Sequence, residues 1–309
     1  MRVLIAGGSG LIGRALAAYL PKDSYEVLIL SRAPGKVSGL PENARVVKWD
    51  GMTTRGWGHL VNGSHAIVNL AGENIAGEGF FPTRWTTERK KRIRASRTDP
   101  GQAIIEAIMA AKKKPEVLVQ SSAIGYYGTL NDQKVDESAP AGNDFLAKFC
   151  KEWEATTAYA EKIGVRRVIT RSGIVLSKEN GALPRMMLPF KLFAGGPFGS
   201  GHQYVSWIHL DDEVAAIRFL IEHPETSGVY NLTSPTPRTN ADFGRTLAKV
   251  MKRPYYLPVP GFALKAAFGK VATVVLDGQR VIPQRLLDSG FAFQFPKLES
   301  ALQDTLAGG

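Results

Sequence analysis

Residues 7–13 read GGSGLIG and directly follow Val3–Ala6, an apolar run of the kind that forms a buried strand. Gly7, Gly10 and Gly13 recur every third residue, at the start of an amphipathic stretch that predicts a helix. The first glycine of such a series permits a tight turn, the second lets the backbone approach a diphosphate, and the third lets the helix pack closely on the strand. The stretch therefore predicts a dinucleotide-binding unit with phosphates at the helix N-terminus. Its remaining members are Ser9, Leu11 and Ile12.

Short apolar runs alternate with amphipathic stretches through the first half of the chain. The runs are rich in Val, Ile and Leu, as expected of strands buried on both faces of a sheet. This alternation predicts an α/β fold of the Rossmann type, a doubly wound parallel sheet. The predicted strands are Val3–Ala6, Glu26–Leu30, Arg45–Trp49, Ala66–Leu70, Val117–Ser121 and Val165–Thr170. The predicted helices are Leu11–Leu20, Thr83–Lys113 and Asp144–Lys162.

The residues after the second strand distinguish two dinucleotides. An NAD site usually has Asp or Glu here to accept hydrogen bonds from the ribose 2′-hydroxyl, but this chain has Ser31 and Arg32. A guanidinium binds a 2′-phosphate through two hydrogen bonds, and the serine hydroxyl can add another. The pattern therefore predicts NADP(H) as the cofactor. The other residues predicted to contact it follow later strands and are Asp50, Leu70, Ala71, Gly72, Ser121 and Ser122.

The pattern of predicted elements changes near residue 172, which predicts a second lobe. Glycine-rich loops and shorter elements follow, and prolines interrupt the pattern after residue 253. We expect residues 1–171 to form an NADP-binding Rossmann domain. Residues 172–309 are predicted to form a smaller, substrate-binding α+β lobe, interleaved with the first domain and covering the carboxyl ends of the sheet. Its predicted elements are the strands Tyr204–Ile208 and Val229–Leu232 and the helices Leu210–Glu222 and Asn240–Met251.

Composition narrows the classes of partner. The net charge of +11 favours polyanionic ligands such as nucleotides, or reflects a well-solvated basic surface. Cys150 is the only cysteine and the five histidines are scattered, so we predict no intrachain disulfide and no metal site. No apolar run reaches the length of about 18 residues that a membrane span needs. The single cysteine predicts a reducing compartment, the cytoplasm, and the first strand, which starts at residue 2, predicts that there is no leader peptide. A homodimer remains open, and the substrate is an unidentified small molecule.

Seven cations lie within residues 84–97, RWTTERKKRIRASR. Clustered Lys and Arg can bind the phosphates of nucleic acids, but no series of aromatic residues for base stacking accompanies them. We therefore expect a solvated helix face with one or two side chains turned toward the cofactor, and no nucleic-acid partner. Arg84 and Trp85 are predicted to border the substrate cleft.

Six motifs carry a resemblance to a known family. GGSGLIG (7–13), NLAG (69–72) and SSAIGYYG (121–128) resemble the extended short-chain dehydrogenase/reductase superfamily. Three longer motifs resemble its family 39U, the "epimerase family protein" subgroup, which is NAD-dependent epimerase/dehydratase-like and includes bacterial relatives labelled as cell-division inhibitors. The resemblance covers nearly the whole chain and implies an NADP-binding fold with a characteristic C-terminal lobe, but no settled substrate. The longer motifs are RWTTERKKRIRASR (84–97), GGPFGSGHQYVSWIHLDD (195–212) and GQRVIPQRLLDSGFAF (278–293).

The resemblance also implies a catalytic serine, a tyrosine, and a lysine four residues after the tyrosine. Ser122, or its neighbour Ser121, fits the serine, but none of the nine tyrosines has a lysine four residues later. Aligned through Glu154, the chain places Leu146 and Cys150 where the pair would stand, and we predict that both border the substrate cleft. Apolar neighbours favour simple core packing for the Cys150 thiol.

Tyr126 and Tyr127 are the predicted substitutes for the missing tyrosine. They follow Ser122 by four and five residues, in a loop that should reach the nicotinamide side. Either could donate a proton without the lysine; alternatively, one packs against the cofactor or closes the pocket.

Two functions from different classes remain open. The first is an NADPH-dependent oxidoreductase or epimerase that acts on a small carbonyl or hydroxyl compound. The second is an NADPH-binding regulator with lost or reduced catalysis, for example in cell or organelle division. Val205 stands where sugar-nucleotide epimerases have a phosphate-gripping arginine, so the resemblance disfavours a nucleotide-sugar substrate. We expect Asp212 to cap a helix and His209 to bond backbone groups.

Overall fold

The predicted apolar runs form strands in the computed structural model of the protein, which describes residues 1–77, 79, 81–130 and 132–307. The strands are β1 Arg2–Ala6, β2 Glu26–Ser31, β3 Ala44–Lys48, β4 Ala66–Asn69, β5 Val117–Ala123, β6 Lys134–Val135, β7 Arg166–Ser172, β8 Ile174–Leu176, β9 Tyr204–Val205, β10 Trp207–His209, β11 Gly228–Leu232, β12 Arg238–Thr239 and β13 Arg280–Val281. The α-helices are α1 Leu11–Tyr19, α2 Thr87–Ala110, α3 Phe145–Ala155, α4 Tyr159–Lys162, α5 Leu183–Lys191, α6 Leu210–Glu222, α7 Asn240–Met251, α8 Gly261–Phe268, α9 Thr273–Leu276, α10 Gln284–Asp288 and α11 Leu298–Ala307. Short 3₁₀ turns occupy Pro34–Lys36, Gly58–Val61, Ile124–Tyr127 and Gly269–Ala272.

Within the described residues, the central sheet has seven parallel strands in the spatial order β11-β7-β5-β4-β1-β2-β3. Leu4 of β1 pairs with Leu28 of β2 on one side and with Ile67 of β4 on the other. The chain thus moves outward from β1 in both directions. Ligands of such sheets bind at the carboxyl ends of the strands where the direction changes, which here is between β1 and β4. The predicted doubly wound parallel sheet is confirmed.

Alternate residues of β1 enter two apolar layers. Val3 and Ile5 pack in the layer that contains α1 and α6, whereas Leu4 and Ala6 pack in the layer that contains α2. All four side chains are completely buried, as strands covered on both faces require.

The second half of the chain contributes to the sheet and to a third apolar cluster. α6 packs against α1, and β11 pairs with β7 at the edge of the sheet. The third cluster joins α5, α7 and α11 around Trp207 and Phe243, which are both fully buried. The chain after residue 172 therefore passes through the sheet as well as through this cluster. Residues 308–309, the end of the predicted second lobe, lie outside the described residues.

Side-chain hydroxyls interrupt two predicted elements. The predicted helix Asp144–Lys162 is divided into α3 and α4, where the hydroxyl of Thr156 donates to the carbonyl oxygen of Trp153 at 2.7 Å. Such a bond competes with helix continuation. The predicted strand Tyr204–Ile208 is divided at Ser206, whose hydroxyl accepts a backbone N–H of β13.

None of the helices that the structure describes is both long enough and apolar enough to cross a membrane.

Candidate functional site

The glycine turn after β1 leaves no room for a side chain at two positions. Gly7 has φ = 74°, and a Cβ there would lie 2.6 Å from the carbonyl oxygen of Leu70. A Cβ at Gly13 would lie 2.4 Å from Cα of Gly8. Gly10 is the N-cap of α1 and has no side chain to bond the first N–H groups of the helix. The turn therefore packs tightly on β4 and presents free N–H groups to an anion.

A cleft of about 410 Å³ opens at this turn, between the ends of β1 and β4, and we call it the β1–β4 cleft. Most residues predicted to contact the cofactor line it, and α2 contributes residues that the sequence did not single out. The predicted residues that line it are Gly7, Ser9, Gly10, Ser31, Arg32, Asp50, Leu70, Ala71 and Gly72. Those from α2 include Arg92, Ala95, Ser96 and Asp99. Outside the lining are Leu11, Ile12 and Gly13 in the first turn of α1 and Ser121 and Ser122 on β5.

Arg32 lies in the β1–β4 cleft just after the end of β2. Its side chain is exposed and lies over Gly51, where a Cβ would be 3.5 Å from Cδ of Arg32. In the described part of the chain, no carboxylate lies within ion-pair distance of its guanidinium. Ser31 is buried, and its hydroxyl accepts the N–H of Ala33 at 3.2 Å. The end of β2 therefore offers an uncompensated cation, which suits a phosphate.

Asp50 lies in the same cleft, two residues beyond the end of β3. Its carboxylate accepts the N–H groups of Met52 and Thr53, both at 2.8 Å. The hydroxyl of Thr53 and these N–H groups lower the pKa of Asp50 to about 2. Asp50 is thus an ionised acceptor held in one orientation, as recognition of an amino group such as that of adenine requires.

Arg97 is a candidate site residue that the sequence did not identify. It is half-buried and lies directly against Gly72, where a Cβ would be 2.7 Å from Cζ of the guanidinium. The guanidinium also lies over the ring of Trp153, at 4.9 Å from its centroid. Burial lowers the pKa of Arg97 to about 10. A positive charge is therefore held directly behind Gly72, a residue that lines the β1–β4 cleft.

No carboxylate of the described residues forms an ion pair with Arg97, and its Nε has no hydrogen-bond partner there. Its Nη1 donates to the carbonyl oxygen of Ile93 at 3.4 Å and to Ser96 Oγ at 3.3 Å. The run 84–97 contains seven cations. Helical spacing from Ile93, a buried residue of the same run, indicates that Arg89 and Arg97 share its face of the helix, and the packing shows that Arg97 is the one that lies against Gly72.

A buried cluster joins β5, α3 and β7. The hydroxyl of Ser122 donates to Oε1 of Glu154 at 2.6 Å. Arg171 binds the same carboxylate through Nε at 2.9 Å and Nη2 at 3.0 Å. All three side chains are buried. Ser122 therefore belongs to this cluster, and its hydroxyl does not face the β1–β4 cleft.

Tyr127 belongs to the same cluster. Its hydroxyl donates to Oδ1 of Asn231 at 2.7 Å and accepts from Nη1 of Arg171 at 3.1 Å. The side chain is only 2% exposed, and burial raises its pKa to about 12. Tyr126 differs, because it is half-buried and its ring lies 3.3 Å from Cζ of Arg171. Of the two tyrosines, Tyr126 has the more exposed side chain.

The face of α3 that replaces the tyrosine–lysine pair is apolar. Cys150 is 3% exposed, and burial raises the pKa of its thiol to about 12. Leu146 is half-buried and, like Cys150, packs near Gly125. Phe145 and Phe149 stack along the same helix, with ring centroids 6.3 Å apart. This face supplies packing surface and no ready proton donor.

The other two residues predicted to border a substrate cleft lie near this face. The ring of Trp85 is 5.3 Å from that of Phe145, and its indole N–H donates to the carbonyl oxygen of Ile75 at 2.8 Å. Arg84 is exposed and donates to the carbonyl oxygens of Ala266 and Ala267 in α8. Arg84 therefore links the segment before α2 to α8.

His209 bonds a backbone group, as predicted, whereas Asp212 has a structural role other than the predicted helix cap. His209, rather than Asp212, caps α6, because its Nδ1 accepts the N–H of Asp211 at 3.2 Å. Asp212 instead accepts the N–H groups of Gln294 and Phe295. His209, Asp211 and Asp304 lie close enough to share an ion, but this cap already occupies one ring nitrogen. Val205 is buried in β9, so an apolar side chain occupies the position of the phosphate-binding arginine of sugar-nucleotide epimerases.

Comparison with known proteins gives two family matches. The model of the NAD dependent epimerase/dehydratase family matches residues 3–233, and the model of a domain of unknown function, DUF1731, matches residues 259–305. The chain is 41% identical over 305 residues to the Arabidopsis thaliana "Epimerase family protein SDR39U1 homolog, chloroplastic", covering 98% of this chain and 86% of that one. It is 37% identical over 309 residues to human "Epimerase family protein SDR39U1", covering 99% and 100%.

Solved structures give the same relationship. The crystal structure of human epimerase family protein SDR39U1 (isoform 2) with NADPH superposes with a TM-score of 0.88 at 34% identity, covering all of both chains. A nucleoside-diphosphate sugar epimerase from Corynebacterium glutamicum superposes with a TM-score of 0.76 at 29% identity, covering 99% of this chain and 58% of that one.

Proposed function

Since the chain belongs to the NAD dependent epimerase/dehydratase family, we propose that it is an NADP(H)-dependent oxidoreductase or epimerase acting on a small carbonyl or hydroxyl compound. The observation that carries this proposal is the uncompensated guanidinium of Arg32 in a glycine-lined cleft. A guanidinium favours the 2′-phosphate of NADP(H), whereas the free 2′-hydroxyl of NAD(H) calls for a carboxylate. The human relative whose crystal structure contains NADPH supports the same cofactor.

Three groups of this chain would hold the cofactor. The glycine turn and the N-terminus of α1 would bind the diphosphate. Arg32, with Ser31 beside it, would bind the 2′-phosphate, and Asp50 would accept the adenine amino group. Arg97 would add positive charge behind Gly72. When bound, the nicotinamide supplies or accepts the hydride, so the protein or the solvent has to supply the proton in a reduction and accept it in an oxidation.

Tyr126 is the proton donor that fits this proposal. The hydroxyls of Ser122 and Tyr127 are both engaged inside the buried cluster. Tyr126 lies outside that hydrogen-bond chain, and the guanidinium of Arg171 against its ring fixes its orientation. If Tyr126 is not the proton donor, the substrate itself or water must transfer the proton.

The second candidate function is an NADPH-binding regulator with little or no catalysis. The sequestration of Ser122, Tyr127 and Cys150 favours it, because three groups suited to proton transfer are unavailable. Such a protein would change its affinity for a partner when NADPH binds, rather than consume the cofactor.

A single assay separates the two functions. The protein would be loaded with NADPH and offered panels of aldehydes, ketones and quinones, with loss of reduced nicotinamide as the readout. Compound-dependent oxidation that Arg32→Asp abolishes supports the enzyme. NADPH that stays bound and reduced across all panels favours the regulator. Equal affinity of the unmodified protein for NADPH and NADH contradicts both functions as stated, since both rest on Arg32.

Neither function requires a nucleic-acid partner. A reducing compartment such as the cytoplasm suits a chain whose single thiol is buried and free.

A further inference from the structure

Five large apolar side chains are exposed where the end of α5 meets the segment before α8 and α8 itself. Backbone hydrogen bonds join these parts, since the N–H groups of Tyr256 and Leu257 both donate to the carbonyl oxygen of Gly195, at 2.8 and 2.9 Å. The exposed residues, with their exposed fractions, are Leu192 (66%), Phe193 (55%), Tyr256 (66%), Leu257 (49%) and Phe262 (78%). Adjacent exposed apolar side chains of this size usually mark an interaction site.

The local backbone holds these side chains outward. Phe193 follows α5 with φ = 59°, in the left-handed region that bulky residues rarely adopt. α8 contains no buried residue. Phe262 lies three residues before Lys265 on α8, so the ring and the ammonium group share one face of the helix. The apolar side chains are thus interleaved with cations.

The charge of this region has one sign. Neither residues 181–210 nor residues 243–276 contain a single Asp or Glu. Arg253 lies over the ring of Phe193, with Cζ 4.6 Å from the centroid. Five cations here are exposed, and none has a carboxylate of the described residues within ion-pair distance. They are Lys191, Lys252, Arg253, Lys265 and Lys270.

We propose that this basic–apolar face, formed by the five apolar side chains and the five cations, docks the protein onto the surface of an anionic lipid bilayer. Aromatic and aliphatic side chains among lysines match the boundary between headgroups and acyl chains. There the apolar groups insert, while the ammonium and guanidinium groups stay at the level of the lipid phosphates. A second copy of the chain is disfavoured as occupant, because two faces of the same charge would repel each other.

Cosedimentation with vesicles tests the proposal, using the full chain with NADPH present. One set of vesicles is phosphatidylcholine alone, and the other contains about 30% phosphatidylserine. We expect binding to the anionic vesicles only, weakened by high salt. Phe193→Gly with Phe262→Ser should reduce the affinity by about ten-fold or more. Glycine suits the left-handed φ at position 193, and retained NADPH affinity verifies that the double variant is folded.

Two matched controls show whether a loss of binding is specific to the basic–apolar face. The double variant Lys265→Glu, Lys270→Glu should abolish binding. The double variant Lys112→Glu, Lys114→Glu changes the charge equally at exposed positions outside the basic–apolar face, and it should still bind. Met109→Ser removes an exposed apolar side chain elsewhere and should leave binding unchanged.

Four results would overturn the proposal. The first is that the protein does not bind anionic vesicles. The second is that the Lys265/Lys270 and Lys112/Lys114 double variants lose vesicle affinity equally. The third is a dimer in light scattering that Phe193→Gly with Phe262→Ser dissolves, which would assign the face to a second copy. The fourth is preferential binding of polyglutamate over vesicles, which would assign it to an acidic protein.

Discussion

The hydroxyl of Ser122 donates its hydrogen bond to Glu154, at 2.6 Å, inside the protein. A serine placed to orient a substrate oxygen would direct its hydroxyl into the cleft, but here Arg171 holds Glu154 from the other side. Removing Glu154 would leave Arg171 as a buried, uncompensated charge. The position that the family resemblance assigns to catalysis is thus part of the internal framework of the protein.

We therefore predict that Glu154→Ala destabilises the protein by about 3–5 kcal/mol and that Ser122→Ala costs about 1.5–3 kcal/mol. Urea unfolding measures both. Ser121→Ala, at the half-buried neighbouring position, is the control and should cost much less. An unchanged midpoint for Ser122→Ala would show that the bond contributes nothing to stability.

Arg32→Asp should weaken NADPH binding by about ten- to hundred-fold, because a charge-assisted hydrogen bond is worth about 1.5–3 kcal/mol. The same variant should bind NADH as well as or better than the unmodified protein. Calorimetric titration with both cofactors measures the change of preference. Lys112→Asp alters the charge equally at an exposed position outside the cleft and should leave the preference unchanged.

Arg97 should show opposite effects on stability and on binding. Its guanidinium is desolvated without a carboxylate partner, so Arg97→Met should maintain or raise the free energy of unfolding without cofactor. The same substitution should weaken NADPH binding by about ten-fold or more. Arg97→Lys should recover part of the affinity, and Lys91→Gln, at an exposed position of α2, should change neither quantity. Undiminished NADPH affinity in Arg97→Met would remove Arg97 from the site.

The two adjacent tyrosines should respond differently to loss of their hydroxyls. Tyr127→Phe removes one buried hydrogen bond from Asn231 and one from Arg171, and should cost about 1–3 kcal/mol of stability. Tyr126→Phe should leave stability and NADPH affinity unchanged but reduce turnover of any carbonyl substrate found. Full turnover in Tyr126→Phe would assign the proton to substrate or water.

Stability should fall as pH rises, through Glu213. Complete burial raises its pKa to about 8, although the hydroxyl of Ser172 donates to it at 2.6 Å. In the unfolded chain the same carboxyl ionises near its ordinary pKa of about 4.3. Between these values the unfolded state binds fewer protons than the folded state, so the free energy of unfolding decreases across this interval. Glu213→Gln should flatten the curve; an equally steep curve in that variant would exclude Glu213 as its source.

The parts of the fold that depend on local periodicity could be predicted from the sequence. Val3 and Ile5 alternate with Leu4 and Ala6, and the two sets enter different layers of the sheet. Two helices of the second half, α6 and α7, begin and end at the predicted residues. The break after α3 was missed because it arises from a single threonine hydroxyl.

The roles of site residues depended on contacts that are distant in sequence. Tyr127 donates a hydrogen bond to Asn231, which lies 104 residues away in the sequence, and no local sequence pattern predicts that bond. Arg97 resembles its six cationic neighbours in composition, and only the packing of α2 against α3 distinguishes it.

The position of Arg97 also constrains how this chain could have changed during evolution. Its charge interacts with the place on α3 that Cys150 now fills. A lysine introduced at residue 150 would meet the half-buried guanidinium of Arg97, and the two like charges would repel, with only the carboxylates of Glu73 and Glu154 nearby to offset them. Residues 97 and 150 are therefore expected to be epistatic, since a lysine at position 150 would be tolerated better when the charge at position 97 is absent.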